Sequence, residues 1–104
     1  MNQLNQINNY TYSLLGELLF ETVPEFKSFF DSNFSRNESV FGGYSFMNEF
    51  ALRLTEEMQK DISSNFVLNS FSYINTIGES ENLEVLNVLR VGILEILYTA
   101  KPSL

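Results

Sequence analysis

The chain contains no histidine and no cysteine among its 104 residues. Without histidine it lacks the side chain whose pKa normally lies closest to neutral pH, and therefore the commonest general base. Without cysteine it has no thiolate nucleophile, no disulfide bond and no zinc site built from cysteine and histidine. These absences predict a protein that is not an enzyme and that binds no metal ion or cofactor.

Basic residues are scarce as well: six lysines and arginines stand against thirteen acidic residues, which gives a formal net charge of −7. Proteins bind the phosphates of nucleic acids mainly through lysine and arginine, so direct nucleic-acid binding is not expected. A strongly acidic chain is suited to solubility or to association with a basic protein. The composition alone does not choose between these two roles.

Long hydrophobic runs are also missing from the chain. The longest nearly apolar stretch, Val85 to Tyr98, is interrupted by Asn87, Arg90 and Glu95, and a helix that spans a bilayer needs about 20 apolar residues. The polar segment 1–9 lacks the basic region and the apolar stretch of a signal peptide. We therefore expect no membrane association and a cytoplasmic location.

The apolar and aromatic side chains that are present suffice for one hydrophobic core. Apolar residues make up 44% of the sequence and aromatic residues 14%, so length and composition predict a single domain that spans residues 1–104. Helical periodicity dominates the spacing of the apolar residues. The predicted fold is all-α, a single-domain bundle of about five helices with a buried C-terminal helix.

The first two predicted helices meet at a proline. The first runs from about Asn8 to Glu21. Its apolar stripe comprises Ile7, Leu14, Leu15, Leu18 and Leu19. Thr22 to Glu25 resembles a capping box for the second helix, and Pro24 is tolerated in a first helical turn. The apolar face of this short helix comprises Phe26, Phe29, Phe30 and Phe34.

A loop with a glycine pair precedes the third predicted helix. The segment 35–43 reads as this loop, and the aromatic residues around Gly42-Gly43 would allow a small β-hairpin. Ser45 is the expected N-cap of the third helix. The apolar face of that helix comprises Phe46, Met47, Phe50, Leu54 and Met58. Two acid-to-base pairs are expected on its other side, Glu49 with Arg53 and Glu56 with Lys60.

The fourth predicted helix has clear signals at both ends. Ser63 or Ser64 is its expected N-cap, and Gly78 is expected to end it in the C′ position. Its apolar face comprises Phe66, Val67, Phe71, Ile74 and Ile77.

The fifth predicted helix starts at Ser80 or Asn82 and is apolar around most of its circumference. Such a helix is expected in the middle of a bundle, so Val85 to Tyr98 is predicted to be the most buried helix. Gly92 in its interior costs up to about 1 kcal/mol relative to alanine. Close approach by a neighbouring helix would explain its presence.

Some acidic residues have the spacing of known carboxylate sites. The segment Asp31 to Asn37 resembles the start of a calcium loop, but Arg36 and Gly42 stand where that loop needs a glycine and a bidentate glutamate. Two other groups lie on predicted helix faces, Glu17 with Glu21 and Glu56 with Glu57 and Asp61. Such groups can serve glycosidases or hold Mg²⁺. Solvated helix faces explain them here, and no catalytic or metal site is predicted.

Acidic residues around the first two helices are instead candidates for contact with a partner. Within residues 17–31, four acids and one lysine give a net charge of −3. Aromatic residues on loops are frequent hot spots of protein binding, and two of them lie beside the glycine pair. The predicted partner-binding residues are therefore Glu17, Glu21, Glu25 and Asp31, with Phe41 and Tyr44 as candidate apolar anchors.

Three segments carry a resemblance to a known group of proteins: Asn48-Glu49-Phe50-Ala51, Asn69-Ser70-Phe71-Ser72-Tyr73-Ile74 and Val85-Leu86-Asn87-Val88-Leu89-Arg90-Val91-Gly92-Ile93-Leu94-Glu95-Ile96-Leu97. Through them the chain resembles small bacterial all-helical proteins of unassigned function. These are similar in organisation to immunity proteins of toxin–immunity systems, including contact-dependent growth inhibition. The resemblance covers residues 45–100 and rests on packing residues, so it implies a fold and a class of function but no binding residue.

The resulting hypothesis is an immunity protein that binds and neutralises a cognate toxin. An acidic inhibitor suits a basic, nuclease-type toxin, because its carboxylates can occupy the groove that otherwise binds phosphates. The alternatives are a non-catalytic adaptor or regulatory subunit of a larger assembly, an acidic mimic of nucleic acid, and a hydrolase that works through carboxylates.

Overall fold

The computed structural model describes residues 9–34 and 41–99, and their backbone is almost entirely helical. The elements are α1 (Asn9–Thr22), α2 (Pro24–Asn33), α3 (Tyr44–Lys60), α4 (Asn65–Gly78), α5 (Leu83–Asn87), a π-helical segment (Val88–Leu94) and α6 (Glu95–Thr99). The last three run on continuously and are called the C-terminal helix. No strand occurs in the described residues, and no helix among them is long and apolar enough to cross a bilayer. The all-α, single-domain prediction is confirmed.

Helix α3 occupies the centre of the bundle. It packs against α4 and against the C-terminal helix. Its buried residues are Phe46, Met47, Phe50, Ala51, Leu54 and Thr55. The C-terminal helix is only partly buried, since Leu83 is 58% exposed and Tyr98 is 78% exposed. The most buried helix is therefore α3 and not, as the sequence predicted, the last one.

An aromatic cluster joins α1, α2 and α3 at one end of the bundle. The ring of Phe46 lies 5.0–5.7 Å, centroid to centroid, from the rings of Phe20, Phe26, Phe30 and Phe41. The planes of these pairs are inclined by 64–75°, near the edge-to-face arrangement that aromatic quadrupoles favour. The phenylalanine face predicted for the second helix is thus confirmed as core for Phe26 and Phe30.

Two of the predicted N-caps are confirmed. The hydroxyl of Ser64 accepts a hydrogen bond from the backbone N–H of Val67. The side chain of Asn82 accepts from the backbone N–H groups of Glu84 and Val85 at 2.8 and 3.3 Å. Both side chains satisfy amides that a helix leaves unpaired at its start.

Three other predicted caps are wrong. Helix α1 continues through Thr22, and the N-cap of α2 is Val23, which offers no side-chain hydrogen bond. Helix α3 begins at Tyr44 after Gly43, so Ser45 already lies inside it. Gly78 is the last residue of α4. It does not adopt the left-handed conformation of a C′ glycine, since Gly42 is the only glycine with a positive φ among the described residues.

Two local predictions between α2 and α4 are also wrong. The glycine pair forms a turn that leads directly into α3 instead of a hairpin, and Val40 lies outside the described residues. Arg53 pairs with Glu56 and Glu57 at 3.3 and 3.0 Å, and Lys60 pairs with Glu57 at 3.5 Å. Arg53 and Lys60 thus pair with Glu56 and Glu57 in another combination than the expected Glu49–Arg53 and Glu56–Lys60 pairs.

The π-helical segment keeps two apolar rows of the C-terminal helix facing the core. The backbone N–H of Glu95 donates to the carbonyl oxygen of Arg90, five residues back. Buried and half-buried positions recur every four residues, as Val85, Leu89, Ile93 and Leu97 and as Val88, Gly92 and Ile96. A four-residue repeat drifts by about 40° per turn around an α-helix, and the additional residue of a π turn absorbs this drift.

Gly92 lies at a close approach of the C-terminal helix to α3. A Cβ added to it would lie 3.0 Å from the Cβ of Met47, which is tighter than ordinary van der Waals contact. The close helix approach that the sequence required of this glycine is confirmed.

Candidate protein-binding surface

The four acids predicted to bind a partner are exposed on the packed pair α1 and α2. Glu17 and Glu21 lie one turn apart on α1. Glu25 lies in the first turn of α2, where a carboxylate interacts favourably with the helix dipole. Asp31 lies near the end of α2, and its carboxylate accepts a hydrogen bond of 3.0 Å from Lys27.

Three of these acids have no paired cation among the residues that the structure describes. They are Glu17, Glu21 and Glu25. Glu56 and Glu57 of α3, in contrast, are paired with Arg53 and Lys60. An uncompensated charge keeps more of its field for an incoming partner, so the α1–α2 surface presents negative potential to a basic partner.

The acidic group at the end of α3 has a structural explanation. Asp61 accepts hydrogen bonds from both the backbone N–H and the hydroxyl of Ser63 at 3.0 and 2.8 Å. These bonds favour the charged form and lower the pKa of the Asp61 carboxyl. Together with the ion pairs of Glu56 and Glu57, they give this group of three carboxylates a structural role.

Phe41 is half-buried and belongs to the aromatic cluster. Its ring lies 5.3 Å from the ring of Phe20 and 5.0 Å from that of Phe46. It also fills the notch at Gly16 of α1, where an added Cβ would lie 2.7 Å from the Phe41 ring. The residue therefore holds the turn before α3 onto α1, and only part of its ring remains for contact with a partner.

The backbone of this turn lies equally close to α1. Gly42 has φ +84°, a backbone conformation that residues with a Cβ rarely adopt. A Cβ at this position would fall 1.7 Å from the carbonyl oxygen of Tyr12. The glycine pair noted in the sequence thus allows the chain to rest directly on a helix backbone.

Tyr44 is half-buried and its hydroxyl has a partner within the molecule. It donates to Oε2 of Glu84 at 3.0 Å, and the hydroxyl of Tyr12 donates to the same oxygen at 2.7 Å. The two rings lie 6.5 Å apart in an edge-on arrangement. This tyrosine clamp, formed by Tyr12, Tyr44 and Glu84, connects α1, α3 and α5.

The clamp shifts the titration of both tyrosines. The hydrogen bond to Glu84, followed by burial and the charge of that carboxylate, raises the pKa of Tyr12 to about 12. Burial, followed by the hydrogen bond to Glu84, raises the pKa of Tyr44. Tyr12 and the acceptor role of Glu84 do not follow from the sequence, because contacts across 72 and 40 residues leave no trace in local periodicity.

The geometry of this surface suits protein contact, and the prediction of no metal site stays a prediction. Within residues 9–34 and 41–99, no three acidic side chains come together as a group that could hold a metal ion. The exposed acids lie on stable helices, and the two aromatic residues beside them are fixed by the core and by the clamp. Neither a family model nor a curated protein nor a solved structure matches the chain.

Proposed function

We propose that the chain is a cytoplasmic immunity protein that neutralises a basic, nuclease-type toxin by covering its active site, and that it has no catalytic activity of its own. The observation that carries this proposal is the set of exposed acids without a cation on α1 and α2, namely Glu17, Glu21 and Glu25. Asp31 adds a fourth carboxylate, shared with Lys27. A nuclease groove that binds phosphates carries lysine and arginine, for which these carboxylates are complementary partners.

The expected mechanism combines electrostatic attraction with steric occlusion. The net charge of −7 and its local concentration on α1 and α2 draw a basic partner toward this side of the bundle. Once bound, the helix pair fills the groove and excludes the nucleic acid. Because the acids are exposed, the attraction is screened by salt over about 10 Å at 0.1 M and about 3 Å at 1 M.

Co-production with a toxin tests the function in cells. The adjacent upstream gene is sequenced, any toxin domain that it encodes is produced in a bacterial host with and without this chain, and growth is measured. We expect the wild-type chain to restore growth and the double variant Glu17→Lys/Glu21→Lys to restore it poorly. The control is Glu79→Lys/Glu81→Lys, which makes the same change in net charge at two other exposed acids. Failure of the wild-type chain to protect would reject the proposal for that toxin.

Stopped-flow association tests the electrostatic mechanism separately. The rate constant for binding to the same toxin domain is expected to fall in Glu17→Lys/Glu21→Lys and to fall less at high salt, because ions screen the charges that were reversed. The control double variant should bind nearly as fast as the wild type. An association rate that ignores both salt and the Glu17/Glu21 reversal contradicts electrostatic steering even if protection in cells is observed.

A further inference from the structure

The outer face of α1, which comprises Leu14, Glu17, Leu18 and Glu21, combines apolar and acidic side chains. These positions follow the i, i+3, i+4, i+7 spacing of one side of an α-helix. Leu14 is 52% exposed, both glutamates are exposed and Leu18 is half-buried. Leu14 belongs to the apolar stripe predicted for the first helix. The structure corrects this prediction, because the buried side of α1 is centred on Leu15, Gly16, Leu19 and Phe20.

An exposed leucine alone would carry little information, since single apolar side chains are common on protein surfaces. Leu68 on α4 shows this: it is 58% exposed, but α4 contains no charged residue. Leu14 differs because Glu17 lies one turn away and Glu21 two turns away on the same face. Neither glutamate forms an ion pair with any residue that the structure describes.

The combination is complementary to one kind of side chain. Lysine and arginine have an apolar stem of methylene groups that ends in a cation. Neighbours three or four residues apart on a helix lie about 5–6 Å apart between Cβ atoms, which is similar to the length of such a stem. A stem that rests on Leu14 therefore brings its cation within reach of the neighbouring carboxylates.

We propose, building on the function proposed above, that the outer face of α1 binds lysine or arginine side chains of the basic partner. Leu14 contacts their stems, while Glu17 and Glu21 pair with their charged ends. Leu14 is then the apolar anchor of the surface. Phe41 and Tyr44 instead hold α1 in place, Phe41 by packing against Gly16 and Tyr44 through the tyrosine clamp.

Binding of hexalysine, a probe that offers only lysine stems and charges, tests this inference by NMR titration of the labelled protein. We expect shifts of the amides between Leu14 and Glu21. The dissociation constant should rise about three-fold in Leu14→Ala, because part of one leucine contact is lost. It should not change in the control Leu68→Ala. Both leucines are largely exposed, so circular dichroism should show wild-type folding in each variant.

A further variant separates this inference from the proposed function. Glu17→Gln/Glu21→Gln should abolish most of the affinity for hexalysine. If that variant binds as tightly as the wild type, the acidic surface of the proposed function is wrong. If it binds weakly while Leu14→Ala and Leu68→Ala behave alike, only the role of Leu14 is overturned. Amide shifts that lie away from α1 would overturn the whole inference, because the probe would then bind another surface.

Discussion

Single residues of the turn before α3 determine how closely this turn packs on α1. Gly42→Ala should strongly destabilise the fold, because the backbone is left-handed and the added Cβ would meet the carbonyl of Tyr12. Strain of this kind costs about 1–3 kcal/mol before the steric clash is included. Urea denaturation measures the loss in free energy of unfolding.

Gly78→Ala is the matched control for Gly42→Ala. Gly78 lies at the end of α4, and a Cβ there would meet only Leu89 at an ordinary 3.6 Å. Alanine in a helix is preferred over glycine by about 0.5–1 kcal/mol, so this variant should be as stable as the wild type or slightly more stable. Equal destabilisation by both substitutions would show that the turn does not rest on α1 as described.

The tyrosine clamp predicts a loss of stability at alkaline pH. Since folding raises the pKa of Tyr12 from 10.0 to about 12, the unfolded chain loses this proton first as the pH rises. The contribution of the Tyr12 proton to the free energy of unfolding is complete below pH 10.0 and is lost as the pH approaches about 12. Tyr12→Phe should therefore reduce the slope of unfolding free energy against pH in this window.

Tyr98→Phe provides the comparison for that measurement. Tyr98 is 78% exposed and lies outside the clamp, so its substitution should leave the alkaline slope of the wild type unchanged. A slope that is the same in Tyr12→Phe, Tyr98→Phe and the wild type would contradict a clamp on Glu84.

At the scale of an element, the π-helical segment predicts that one residue of the C-terminal helix is dispensable. Deletion of the exposed Val91 should convert the π turn into an α-helix and keep the apolar rows on either side aligned. Deletion of Leu52, which is similarly exposed in α3, rotates the rest of that helix by about 100°. In thermal unfolding, the deletion of Val91 should therefore lower the melting temperature modestly. The deletion of Leu52 should abolish the cooperative transition. Equal destabilisation by both deletions would contradict the role assigned to the π turn.

The elements differ in how much of them the sequence could predict. Helices were predictable because apolar spacing and caps such as Ser64 and Asn82 are local signals. The π turn was missed because two apolar rows with a four-residue repeat look like one helix that is apolar all round. The repeat itself, from Val85 to Leu97, is the signal that could have revealed it.

The acidic residues of the candidate site could be predicted from the sequence, but the contacts that fix the aromatic residues beside them could not. Exposure of Glu17 and Glu21 follows from helical spacing. The positions of Phe41 and Tyr44 depend on Gly16 and on distant partners, which local patterns do not contain. The phase of α1 was misjudged for the same reason: Gly16 is buried only because an aromatic ring from another segment covers it.

At the scale of the whole molecule, one aromatic cluster should make α1, α2 and α3 unfold together. Phe46 is 1% exposed and contacts rings from α1, α2 and the turn. Phe46→Ala should cost about 3–5 kcal/mol, the usual cost of removing a buried phenylalanine. Phe71→Ala, at a position that is 37% exposed on α4, should cost much less. Urea denaturation followed by near- and far-ultraviolet circular dichroism measures both.

Coincidence of the two circular dichroism transitions is the second part of that prediction. A single cooperative unit loses packing and helix at the same urea concentration. Separate transitions, or equal costs for Phe46→Ala and Phe71→Ala, would indicate that the cluster does not unite the three helices.

The tyrosine contacts also give the protein an intrinsic optical reporter. The chain has no tryptophan and five tyrosines, so its ultraviolet emission comes from phenol rings. Tyr12 and Tyr44 donate to a carboxylate, and Tyr73 donates to the backbone carbonyl of Leu15 at 2.9 Å. Phenols bonded in this way emit weakly, so the folded protein should be dim and should brighten on unfolding. Opening of the clamp can therefore be followed by fluorescence without a dye.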